Sequence, residues 1–170
     1  GREDSMKSEE LVRKEVAALL GASNAHEGFE AKVAGFPPEH INSVVEGVVR
    51  PGNIPLTPYA LLEHMRIALH DILEFIRDPD FESPPYPEGY WPDPKIQADA
   101  ELWHKTLDEF RADLETLVSI TGDKNTDLFA PIPHAPDYTV FRELLTIADH
   151  NSYHIGQFGI FGDYFAGGAG

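Results

Sequence analysis

From Ile96 to Leu117 the apolar residues return at alternating steps of four and three: Ile96, Ala100, Trp103, Leu107, Phe110, Leu114 and Leu117. That rhythm places one continuous apolar stripe on a helix and suits lengthwise packing against other helices. A strand alternates every second residue and does not produce it. Three further segments follow the same logic. The first, Ser8 to Val33, carries Val12, Val16, Leu19, His26, Phe29 and Val33 on one face, weakened by Gly21 and Gly28, each costing about 1 kcal/mol against alanine. The second starts at Thr57-Pro58, a capping residue followed by proline. It runs to about Arg77, with Leu62, Met65, Leu69, Ile72 and Ile76 as its seam. The last runs from Thr139 to about Phe165, before Gly167-Gly168. For the third helix, Asp93-Pro94 reads as a second cap-plus-proline start and Gly122 as the stop. Four amphipathic helices without a convincing strand predict an all-α bundle.

Proline-rich stretches separate these segments. The longest, Asp78 to Pro94, holds six prolines together with Phe81, Tyr86, Tyr90 and Trp91. A loop of that length often covers a site, although its aromatics can equally cap one end of the core. The expectation is that Tyr90 and Trp91 line the mouth of a pocket, while Trp103 belongs to the core.

Composition narrows the chemistry. The 170 residues suit one domain and include no cysteine, which excludes disulfides, thiolate catalysis and cysteine-based metal sites. A formal charge of −16 repels both phosphate backbones and acidic membranes, so neither nucleic acid nor membrane is an expected partner. No apolar run approaches the roughly 20 residues of a spanning helix. Residues 1–5, ahead of Met6, lack the apolar stretch of a signal peptide and read as an expression remnant. The domain is therefore expected to occupy 6–170, in the cytoplasm.

Eight histidines and many carboxylates remain for metal chemistry. His150 and His154 stand one helical turn apart, on a face shared with Ile147, Phe158 and Phe161. Burying two imidazoles there without partners costs several kcal/mol. A shared ion removes that cost, and so does a hydrogen-bonded core network with Asp149, Asn151 and Gln157. His64 is a third inward histidine, set among Leu61, Ile67 and Ala68. His70 and His104 share faces with charged residues and read as solvated; His40 and His134 lie in loops. His26 falls on the apolar face of the first segment, where three roles compete: a fourth ligand, a residue touching ligand or substrate, and a satisfied core histidine.

The run Leu61-Leu62-Glu63-His64-Met65-Arg66-Ile67-Ala68, followed by Ala148-Asp149-His150-Asn151-Ser152-Tyr153-His154-Ile155-Gly156-Gln157, resembles the DinB/YfiT-like superfamily. The likeness extends to Trp91-Pro92 and to the Ala-Pro-Ile-Pro-His stretch ending at His134, and covers about Leu11 to Phe165. It implies a four-helix bundle in up-down-down-up order and a divalent metal on His64, His150 and His154. Zinc or nickel is the expected ion, with iron and copper also suited to three imidazoles. It further implies a homodimer through helix faces. Characterised relatives are transferases and isomerases that use low-molecular-weight thiols; others are described only as metal-dependent hydrolases.

Two function classes follow. One is an enzyme acting on a small molecule, either a thiol-dependent transferase or a hydrolase, with His26, Tyr153 and Gln157 as candidates to orient water or substrate. The transferase suits a chain with no thiol of its own. The other is a non-catalytic carrier or sensor whose small ligand binds at the metal.

Overall fold

The structure, a computed structural model, describes residues 1–21 and 25–167. It is mostly helical. Four long helices carry it: α1 (Arg2–Gly21), α2 (Pro58–Arg77), α3 (Ala100–Gly122) and α4 (Val140–Gly167). Both α1 and α2 pack against α3 and α4. The core runs between them. From α2 it takes Leu61, Leu62, Met65, Leu69 and Leu73, from α3 Phe110 and Leu117, and from α4 Leu144, Ile147 and Phe158, all essentially without exposure. Each such side chain contributes about 1.5–3 kcal/mol by leaving water.

Two small antiparallel hairpins, absent from the sequence reading, close two of the connections. β1 (Val49–Arg50) pairs with β2 (Ile54–Pro55), and β3 (Pro131–Ile132) with β4 (Ala135–Thr139). The first turns through Pro51, Gly52 and Asn53, with φ of 86° at Gly52 and 57° at Asn53. That left-handed pair favours glycine and tolerates asparagine.

The start of α2 is as expected, with the Thr57 hydroxyl accepting the Ala60 N–H at 3.0 Å. Two other helices depart from expectation. α1 begins at Arg2, six residues early, so the segment ahead of Met6 is continuous with the helix, and it ends at Gly21. Ala22 to Asn24 lie outside the described residues, as does Gly168. Phe29 and Val33 are buried as expected, but Val33 lies on a separate helical turn, Glu30–Ala34, which Phe29 precedes. Phe29 stacks on Phe110 with ring centroids 4.3 Å apart. The apolar period therefore continues across a break at the glycines, and Leu20 rather than Leu19 faces inward.

α3 begins at Ala100, not after Asp93. Asp99 is its cap, accepting the Leu102 N–H at 2.8 Å, while Asp93 closes a local turn onto the Lys95 N–H. The reason is tertiary. The Asn42 amide both donates to the Ala98 carbonyl and accepts the Ala98 N–H, at 2.8 and 2.9 Å, which removes that backbone from any helical ladder. Ile96, the first residue of the expected seam, is left 38% exposed. At its other end α3 is closed by buried Arg13 of α1, whose guanidinium donates to the carbonyls of Thr121, Asp123 and Thr126. A cation on terminal carbonyls answers both their unpaired oxygens and the helix dipole.

Candidate metal centre

His64 sits on the second turn of α2; His150 and His154 sit one turn apart in the middle of α4. Because α2 and α4 pack directly, the three rings meet. Ligand atoms of all three lie within 4.8 Å of one another. His150 Nε2 is 3.0 Å from His64 Nε2 and 3.2 Å from His154 Nε2. Nitrogens bonded at about 2.1 Å to one ion stand about 3.0 Å apart at octahedral angles and about 3.4 Å apart at tetrahedral ones. Both separations from His150 Nε2 fall in that interval. Ile147, Phe158 and Phe161, expected on the same stripe, are all buried.

The outer nitrogens decide the tautomers. His64 Nδ1 donates to the Tyr90 carbonyl at 2.8 Å, and His154 Nδ1 donates to the Gln157 side-chain oxygen at 2.7 Å. A neutral ring with its proton on Nδ1 has a bare lone pair on Nε2. Two lone pairs therefore point at His150 Nε2. A proton there would be divided between them, whereas a cation takes all three nitrogens at once, in the usual pattern of histidine ligands held by outer acceptors. His150 Nδ1 is buried without a partner. Burial holds the rings neutral: His64 is pushed down to about 4 and His150 to about 3, the latter helped by its two neighbours, and His154 is lowered by the same desolvation. All three lone pairs are thus available at neutral pH. The residues fit a divalent transition ion.

Beside the cluster lies a cavity of about 380 Å³ between α2 and α4, roofed by the long proline-rich loop. His64 and His150 form one end, and Tyr90, Trp91 and Asp71 are among its walls. The Trp91 ring stacks on the His64 imidazole, centroids 3.9 Å apart and planes within 3°. Trp103 is buried in the core. The expected division between the two tryptophans is what the structure shows. Gly89 permits the loop to close, since a Cβ there would lie 2.6 Å from Pro85 and 2.8 Å from Pro84.

Three other candidates are placed differently. Gln157 is at the cluster, but it orients His154 rather than facing the cavity. Tyr153 is 66% exposed; its ring meets His154 edge-on and does not line the cavity. His26 is exposed rather than on an apolar face, and borders a separate small cavity with Leu19, Phe29 and Asn151. Residues 25–28 are not helical, which removes the helical phase that had turned it inward. His70 is partly exposed beside Asp113, and His104 is exposed, as expected. His40 stacks on Phe165, and His134 Nε2 donates to the Phe75 carbonyl.

Sequence reasoning missed the Tyr90 carbonyl, a backbone group with no residue-level signal, and Asp71. Asp71 had a signal: it lies seven residues after His64, on the same helical face.

Among the described residues no helix is long and apolar enough to cross a membrane. Comparison with protein-family models, curated proteins and solved structures finds no match to this chain.

Proposed function

We propose that the chain is a metal-dependent enzyme of the DinB/YfiT-like type, a four-helix bundle in up-down-down-up order that acts on a small molecule. His64, His150 and His154 would hold one divalent ion, zinc or nickel before iron or copper. One observation carries the reading. Two imidazoles are held by outside acceptors in the tautomer that bares Nε2, and the three rings cluster beside an apolar cavity whose end is formed by His64 and His150.

When bound, the ion supplies Lewis acidity, which favours the deprotonated form of a thiol or a water. The protein supplies the rest. The Tyr90 carbonyl and the Gln157 amide aim the ligand rings. Trp91 walls the centre from one side. The cavity, at about 380 Å³, takes a small, largely apolar molecule. Thiol transfer is preferred to hydrolysis because Asp71 is the one carboxylate among the residues lining the cavity, and it sits about 10 Å along the helix axis from His64. A water held at the histidines would have no adjacent general base. The motif likeness adds the thiol cosubstrate, and the absence of cysteine agrees with an external thiol. A homodimer belongs to the same reading, and exposed apolar residues on α4 support it.

Elemental analysis of untagged protein, followed by a screen of thiols with electrophilic substrates, tests the proposal. Metal-dependent product formation supports it. Ligand-induced thermal shifts without turnover would leave a carrier or sensor instead. A melting temperature indifferent to chelator, with no bound metal, would overturn both.

A further inference from the structure

The far end of the cavity is polar in a specific way. Asp71 Oδ2 accepts the Tyr90 hydroxyl at 2.7 Å. Its Oδ1 is buried and has no donor. An acceptor left in that state costs about 1–3 kcal/mol, and more when charged. Tyr90 does not relieve it, because its single hydroxyl proton is already committed to Oδ2. No lysine or arginine is among the residues lining the cavity. Ala68, Ile72, Pro87 and Ile147 offer no donor side chain, and the other wall hydroxyls belong to Tyr86 and to Thr146, which donates to the Arg142 carbonyl. The cavity thus has a nitrogen-rich end at the histidines and, two helical turns away and about 10 Å along α2, a wall carboxylate with one oxygen that lacks a donor.

We propose that Asp71 determines specificity in this cavity: its carboxylate takes a hydrogen-bond donor, best a protonated amine, at the far end of a small apolar molecule whose other end lies at His64 and His150. The inference rests on the function proposed above. The expected ligand class is a donor-terminated chain that bridges the two ends. Carboxylate-terminated ligands of the same length are disfavoured, since they would set two carboxylates together at low dielectric.

The probes are alkanethiols of graded length ending in ammonium, hydroxyl or carboxylate. Binding to Co(II)-loaded protein is read from thiolate-to-cobalt charge-transfer absorption. Affinity should fall in that order, with ammonium over carboxylate by at least about tenfold at the chain length that spans the cavity. Asp71→Asn, which keeps an acceptor for Tyr90, should reduce the ratio below about threefold, and the surface control Asp108→Asn should leave it unchanged. Tyr90→Phe, which retains the carboxylate, should keep the preference and guards against a poorly folded Asp71→Asn protein. An equal affinity for the three end groups in the wild type would overturn the proposal. So would a preference that survives Asp71→Asn.

Failure of the thiol reading is distinguishable. If no thiol gives a charge-transfer band, thermal shifts of metal-free protein with hexylamine, hexanol and hexanoate decide the role of Asp71 alone. Stabilisation by the amine that is lost in Asp71→Asn sustains it. Equal shifts in the two proteins overturn it.

Discussion

The Tyr90 carbonyl and the Gln157 amide decide which nitrogen of two ligand rings is bare. Removing a ligand and removing an orienting group should therefore differ in degree. His64→Ala, His150→Ala or His154→Ala should each abolish stoichiometric metal binding, while His70→Ala and His104→Ala should retain it; metal content after gel filtration is the measurement. Metal kept by His150→Ala would refute the centre. Gln157→Leu should bind metal roughly 10–100-fold more weakly, read by competition with a chromogenic chelator, because His154 loses the acceptor that holds its proton on Nδ1.

At the scale of elements, the long loop and α4 carry separate consequences. The loop brings Trp91 onto the ligand ring, whereas Trp103 of α3 lies in the core beside Phe36 and Phe158. In single-tryptophan variants, Cu(II) or Co(II) should quench Trp91 more strongly than Trp103; equal quenching would remove the loop from the site. α4 presents Tyr153, Ile160 and Tyr164 outward, 66%, 72% and 55% exposed, and helical phase puts them within about 40° of one another. Such a stripe on a well-packed helix suits a second copy. Sedimentation should show a homodimer at micromolar concentration, and Ile160→Glu should give a folded monomer. A monomeric wild type would leave the stripe without that partner.

For the molecule as a whole, the cluster links stability to pH. Burial, which disfavours the charged ring, pushes all three rings below their ordinary value of 6.5, His64 to about 4 and His150 to about 3. Between those values and 6.5 the unfolded chain binds more protons than the folded one, so stability falls as pH falls through that window. Metal-free protein should therefore show a steady melting temperature above about pH 7 and a declining one below about pH 6.5. His150→Leu should make the decline shallower. An identical slope in that variant would show that the cluster does not carry the acid sensitivity.

What was legible in the chain was whatever depends on helical phase. The seams of α2 and α3, the Thr57 cap, the inward turn of His64, His150 and His154, and the place of Trp103 all follow from spacing, since a regular helix converts sequence separation directly into direction. What spacing cannot carry is a break in the helix or a contact made by backbone. The end of α1 at Gly21 dissociated His26 from the face assigned to it. Asn42 took both backbone groups of Ala98 and delayed α3 by several residues, from a partner 56 positions away. The tautomers of the centre depend on a carbonyl 26 residues from His64, which every residue type possesses alike. Helical spacing settles which side chains face the core and which of those are imidazoles. That their lone pairs meet follows from tertiary packing alone, because it depends on where two helices and one loop come to rest against each other.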